Sequence, residues 1–365
     1  MISNTFLRTA QASGDHWGTT VKAALTALGP LPDDLNFGIA CVTMPLAEHL
    51  PSIMTFLRET TPIRQWSIMV GSGLAGPVGA VRDRPALALL AARLPPQSFR
   101  MIDSWRERRD TFLDGNRAWL AGQDMPVGLM QGDAFDNDLP SMIADLANTT
   151  HSFLVGGMAA GQPGGLSGAL LGAPLSVVTG LTQGCRKLPG NFRVSEVTDE
   201  ILMQLDGRPA LAALKEAAGP EIAQDLNKAA GVIHLALPIS GTDRADYQVR
   251  TLLGIDPEQG WLAVGCQLTP GDRIVFVQRD DDSARADMRR MLADIAGRIG
   301  DRPILGGVYI SCVARGAHMF GTDEAEIDMI RDCLGEFPLI GVIGQGEFCH
   351  DRIYGYTGVL ALILS

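Results

Sequence analysis

Six cysteines are scattered along the 365 residues, at 41, 185, 266, 312, 333 and 349, with no C-x-x-C pair and no regular spacing. Neither a zinc ribbon nor a disulfide framework is expected, and free thiols in a reducing compartment follow. Basic clusters are equally scarce: Lys and Arg number 30 against 41 Asp and Glu, for a net charge of -11. Nucleic-acid backbones and anionic membrane surfaces reward clustered cations, so no nucleic acid and no membrane is expected as a partner. The six histidines show no His-x-His or His-x-x-x-His spacing. No metal and no cofactor is therefore expected. The opening Met1-Ile-Ser-Asn-Thr-Phe-Leu-Arg has no basic segment followed by an apolar one, which points to the cytoplasm rather than to secretion.

Charge is also missing from His151 to Cys185, a stretch long enough to span a bilayer. Its glycines, with Pro163 and Pro174, would break a helix repeatedly, so strand, glycine loop and two further strands are expected. The loop has neither the lysine of G-x-x-x-x-G-K-[ST] nor a G-x-G-x-x-G between strand and helix, so support for nucleotide binding is weak.

What is present is alternation. A helix is expected over 15–28, strands over 36–43 and 66–70 flank a helix at 46–59, and 85–94 is an apolar run of ambiguous type. A charged helix at 105–120, strand 127–132, helix 142–147 and strand 152–155 follow. Short strands at 166–171, 174–183, 192–198 and 201–205 read as an antiparallel meander, and a fresh strand and helix series begins after Lys228-Ala-Ala-Gly231. The fold class expected is α/β, with mixed β-sheets and outer helices in two related lobes packed through their sheets. The expected domains are 1–34 as N-terminal helix and leader, 35–230, and 231–365. Strand, helix and strand over 36–70, ending Gly71-Ser-Gly73, resemble those over 304–343, ending Gly344-Gln-Gly346, which suggests an internal repeat.

The candidate site lies in the last fifth of the chain. Leu305 to Gly316 ends in Ser311-Cys312-x-x-Arg315-Gly316, and Phe337 to His350 passes through Gly344-Gln-Gly346-Glu347. Two adjacent strand ends would then hold a thiol, a guanidinium and a carboxylate where open sheets bind ligands. Paired glycines allow close approach of backbone to a ligand, and Glu347 can accept a hydrogen bond from an ammonium or amide. A strand-end cysteine such as Cys312 is more often a small hydrophobe than a nucleophile, and neighbouring Cys349 and His350 would face opposite ways on a strand.

These motifs, with Val155-Gly156-Gly157, Gln183-Gly184-Cys185-Arg186, Asp206-Gly207-Arg208-Pro209 and Gly355-Tyr356-Thr357-Gly358, resemble the FIST family, with its N-terminal and C-terminal portions. The resemblance covers about residues 35 to 365. It implies a sensory module that binds small ligands such as amino acids or their derivatives and signals to a protein in trans. Val313-Ala314 stands where the family usually carries an Asn, and Phe348-Cys349-His350 where it usually has Ile-Gly-Pro. The expected ligand-binding set is Ser311, Cys312, Arg315, Gly344, Gly346, Glu347, Gly156 and Gly157, with Arg315 pairing a ligand carboxylate. No catalytic residue is assigned. A cysteine-dependent hydrolase or transferase using Cys312 or Cys349 with His350, and a protein-interaction adaptor, remain as alternatives.

Overall fold

A computed structural model describes residues 6–162, 165–239 and 247–365, so that Pro163 and Gly164 of the glycine loop lie outside the described residues. The fold is mixed α/β with several mixed sheets. Two compact units divide it, Met1–Thr182 with Arg289–Ser365, and Gln183–Met288. The 230/231 boundary expected from sequence falls inside the second unit, and the segment 1–34 contains a strand, Phe6–Ser13, besides its helix Trp17–Leu28.

Within the first unit one pattern occurs three times. The first copy runs strand Phe6–Ser13, helix Trp17–Leu28, strand Phe37–Thr43, helix Leu50–Thr60, strand Trp66–Gly71, a hairpin of Gly73–Gly76 and Gly79–Arg82, and strand Ala86–Arg93. The second is Phe99–Ile102, helix Trp105–Ala121, Val127–Asp133, helix Leu139–Thr150, Phe153–Ala159 and Leu166–Leu171. The third begins with Ser176–Thr182 and resumes at Arg289, inside the helix Asp281–Ile299. It then has Ile304–Cys312, helix Ala325–Leu334, Leu339–Gly344, a hairpin of Gly346–Cys349 and Arg352–Tyr354, and Gly358–Leu364. Each copy forms a sheet in which its first strand pairs with its last, the last with the second, and the second in parallel with the third. The repeat seen in the sequence is thus accompanied by a third copy between its two members.

The hairpins stitch the copies together. That of the first copy extends the third copy's sheet, with Ala75 opposite Gly341 and Gly73 opposite Ile343. That of the third extends the second copy's sheet, with Gly346 opposite Met158 and Cys349 opposite Val155. Burial on both faces explains the apolar run Ala86–Arg93: flanked by Phe6–Ser13 and Phe37–Thr43, it is a central strand despite its alanines. Helix Trp105–Ala121 starts where the sequence signals it, the Ser104 hydroxyl accepting from the Glu107 N–H at 3.2 Å in a Ser-x-x-Glu cap.

The second unit is antiparallel; of the meander expected over 166–205, only Phe192–Thr198 and Ile201–Leu205 pair with each other there, while Leu166–Leu171 and Ser176–Thr182 belong to two sheets of the first unit. Phe192–Thr198, Ile201–Leu205, Trp261–Val264, Tyr247–Asp256, Ile233–Pro238 and Arg273–Gln278 pair in that order and close, the last with the first. Closure leaves these strands no free edge over their paired lengths. Leu202, Leu205, Leu235, Leu262, Ile274 and Phe276 fill the interior against helix Ala210–Ala218. Among the described residues, no helix is long and apolar enough to cross a membrane. The uncharged stretch 151–185 instead supplies the strands Phe153–Ala159, Leu166–Leu171 and Ser176–Thr182.

Candidate functional site

The strand ends singled out in the sequence do meet. Parallel pairing sets Cys312 beside Gly344, and antiparallel pairing sets Glu347 opposite Gly157 and Phe348 opposite Gly156. The glycines serve close packing. A Cβ on Gly156 would come within 2.0 Å of the Met130 carbonyl oxygen, and one on Gly346 within 2.6 Å of the Met158 side chain. Neither Gly344 nor Gly346 uses the positive φ that only glycine adopts freely.

Arg315 is 1% exposed, and its guanidinium is turned onto a carboxylate of the chain itself. Glu326, on helix Ala325–Leu334, accepts from Arg315 Nε at 2.7 Å, from the Tyr309 hydroxyl at 2.6 Å and from the Ser311 hydroxyl at 2.7 Å. Arg315 Nη1 donates to the Tyr356 carbonyl at 3.3 Å, and the Phe320 ring lies 5.0 Å from the guanidinium carbon. Burial alone would lower the Arg315 pKa; Glu326, with Tyr309 and Glu347, together outweigh it and the net shift is upward. A space of about 20 Å³ beside Tyr309, Ser311 and Glu326 is the room of about one water. The place expected for a ligand carboxylate is held by Glu326.

Glu347 is fully buried. One carboxyl oxygen accepts from the Thr357 hydroxyl at 2.5 Å, while Oε1 has no hydrogen-bond partner among the described residues. Burial pushes its pKa well up, and neither Thr357 nor the charge of Arg315 offsets that. Cys312, 3% exposed, is pushed up to about 11 by burial, reinforced by the acidic Glu347, and Cys41 to about 12 by burial alone. Thiolates are the reactive form, so these two thiols are inert near neutral pH. His350 lies at the hairpin turn, its Nδ1 2.9 Å from Asp351 Oδ1. Alkylation of the native protein by iodoacetamide at pH 7.5 is accordingly expected to reach the exposed Cys333 first and to leave Cys41 and Cys312 unmodified. Peptide mapping that found Cys312 labelled fastest would restore it as a nucleophile. No group of three or more acidic, cysteine or histidine side chains could hold a metal among the described residues.

Another opening lies elsewhere in the same unit, and the sequence did not point to it. A cavity of about 550 Å³ is lined by Leu50, Met54, Trp66, Ile68, Met101 and Ile102, with Glu48, Arg58, Ser67, Asp103 and Ser167 as its polar groups. Ser67 is 4% exposed, and its enclosed hydroxyl has no hydrogen-bond partner among the described residues. The cavity runs along the outer edge of strand Trp66–Gly71, which no strand covers among the described residues. Gln162 partly substitutes for one: its amide oxygen accepts from the Val70 N–H at 3.1 Å and its amide nitrogen donates to the Ile68 carbonyl at 3.0 Å. Gln131 donates to the Val70 carbonyl at 3.1 Å. The signal available in the sequence was a length: six residues, 160 to 165, connect Phe153–Ala159 to Leu166–Leu171 where the other copies place a hairpin.

Fold and site thus define a mixed α/β protein with a closed ionic cluster and an apolar cavity carrying a few polar groups. Residues 36–208 match the FIST N domain and 210–350 the FIST C domain, and the chain belongs to this family. An uncharacterized protein of Mycobacterium tuberculosis (strain ATCC 25618 / H37Rv) is 28% identical over 325 residues, covering 81% of this chain and 82% of that one. An uncharacterized protein of Mycobacterium bovis (strain ATCC BAA-935 / AF2122/97) is 26% identical over 318 residues, covering 78% and 79%. Among solved structures, the cyanuric acid hydrolase from A. caulinodans aligns over 99% of both chains with 8% identity and a TM-score of 0.30, too low to carry an argument.

Proposed function

We propose that this protein is a cytoplasmic sensor that binds a small ligand, an amino acid or a derivative of one, in the cavity beside Trp66, and reports occupancy to a signalling protein in trans. The cavity carries this reading. At about 550 Å³ it falls within the roughly 300–1,000 Å³ of ordinary ligand pockets. Its apolar wall would desolvate a ligand, while Arg58 offers a partner to a carboxylate and Glu48 and Asp103 to an ammonium. The strand-end set of Ser311, Cys312, Arg315, Gly344, Gly346, Glu347, Gly156 and Gly157 then acts as packed support in the same unit. Catalysis through Cys312 is disfavoured by its burial and raised pKa.

The test is a thermal-shift screen of amino acids and small zwitterions on the full chain, since a ligand selective for the folded state raises its stability by about 2.7 kcal/mol at a hundred times Kd. Ile68→Trp, which enlarges a partly exposed side chain lining the cavity, is expected to abolish the shift, and the exposed Arg58→Ala to weaken carboxylate ligands about tenfold. Binding that survives Ile68→Trp but is lost in Glu347→Gln would move the ligand to the strand ends.

A further inference from the structure

From the way polarity is distributed around the cavity we infer the class of ligand it selects: free amino acids with a long apolar side chain, which lies against the buried wall while the charged head stays at the mouth. The inference rests on the cavity being the ligand site and specifies what it takes. Two copies of the sheet pattern supply the wall, Leu50, Met54, Trp66 and Ile68 coming from the first and Met101 and Ile102 from the second. Leu50, Met54, Trp66 and Ile102 are buried, and Ile68 and Met101 are half-buried.

The side-chain hydrogen-bonding groups along this wall are engaged or turned away. Trp66 Nε1 donates to the Ile63 carbonyl at 3.1 Å, and the Ser167 hydroxyl accepts from the Gln162 amide at 3.2 Å. The Ser67 hydroxyl is enclosed rather than open to the cavity. On the strand edge, the Ile68 carbonyl and both main-chain groups of Val70 are held by Gln162 and Gln131. A polar side chain would lose its water here without gaining a side-chain partner, a cost that an apolar one does not meet.

Charge is confined to the exposed part of the lining, where Arg58 carries one sign and Glu48 and Asp103 the other. An α-carboxylate and an α-ammonium find complementary charges there and keep part of their hydration. The side chain attached to the same carbon then has the apolar space to enter. That space of about 550 Å³ is the room of about eighteen waters, so a side chain of six carbons fits. Met54 and Met101 line it from the two copies, and thioether chains adapt to what they pack against, so selection falls on apolarity more than on branching.

The probes are alanine, norvaline, norleucine and 2-aminooctanoic acid, with glutamine as a polar side chain of similar length to norleucine's. Calorimetric titration into the full chain is expected to show affinity rising about fourfold per added methylene, the gain from burying one, so that 2-aminooctanoic acid binds about sixtyfold tighter than norvaline. Glutamine should bind at least about tenfold more weakly than norleucine. N-acetylnorleucine and norleucine amide, each lacking one head charge, should each lose about tenfold, and Arg58→Ala should remove the difference between norleucine and its amide. Ile68→Trp is expected to abolish binding of the series, and Met101→Glu, at a half-buried position, to weaken it about tenfold or more, with circular dichroism confirming that each variant is folded. Affinity that is flat along the series, glutamine that matches norleucine, or head-blocked forms that match their parent would overturn this ligand class, while a block by Ile68→Trp would keep the cavity as the site. If the series fails to bind but other zwitterions bind and are blocked by Ile68→Trp, the class falls in the same way. If no amino acid binds, or the series binds both folded variants unchanged, this inference and the cavity reading fall together.

Discussion

Replacing Glu326 with glutamine is expected to destabilise the first unit by about 3–5 kcal/mol, the usual result of leaving one member of a buried ion pair without its partner. The substitution keeps the shape, but its amide oxygen can accept from only one of the Tyr309 and Ser311 hydroxyls while its nitrogen must donate to the other, so the loss combines the missing charge with one reversed hydrogen bond. Arg315, almost without solvent contact, would keep the Tyr356 carbonyl and the Phe320 ring, with Glu347 as the remaining nearby carboxyl. The double variant Arg315→Met with Glu326→Gln removes both charges and should recover most of the loss, since well-packed apolar replacements of buried pairs are often neutral. Urea unfolding followed by tryptophan fluorescence is the measurement, because Trp17, Trp66, Trp105 and Trp119 all lie in this unit. A Glu326→Gln midpoint equal to that of the parent would mean that Arg315 is not held by this pair.

That cluster marks where the sequence was legible and where it was not. Ser311, Cys312, Arg315, Gly344 and Glu347 could be placed together because apolar runs ending in glycine-rich motifs identify strand ends, and parallel pairing brings such ends side by side. The partner of Arg315 was not visible. Glu326 lies eleven residues on, on a helix whose buried face is otherwise Ile327 and Ile330, and nothing in its spacing distinguishes an inward carboxylate from a solvated one. The threefold pattern was half legible for a related reason. Gly71-Ser-Gly73 and Gly344-Gln-Gly346 advertise themselves because a hairpin must turn sharply out of each strand. In the second copy no hairpin is present among the described residues: the strand ends at Ala159 and turns through Ala160-Gly161, so the motif is absent. The cavity sits beside that absence, which makes it hard to find from residues alone.

Glu347 should respond in the opposite sense to Glu326. Its carboxyl is fully buried, with one oxygen unpartnered and a pKa pushed well above the ordinary value by burial. In the unfolded chain the same group releases its proton near the ordinary 4.5. Between those two values the folded state binds more protons than the unfolded one, so stability falls as pH rises, by about 1.4 kcal/mol per pH unit from this group, and levels off only above the folded value. Glu347→Gln carries no such slope. Its stability relative to the parent is therefore expected to increase steadily from pH 5 upward, with the two proteins converging below pH 4, where both side chains are neutral. Urea midpoints at pH 5, 6, 7 and 8 give the comparison. A variant less stable than the parent at every pH would mean that Glu347 is ionised and paired with Arg315, and a charged Glu347 could then answer a ligand ammonium. A neutral Glu347 offers no charge to a ligand, which leaves Arg58, Glu48 and Asp103 around the open cavity as the charged groups a zwitterion can reach.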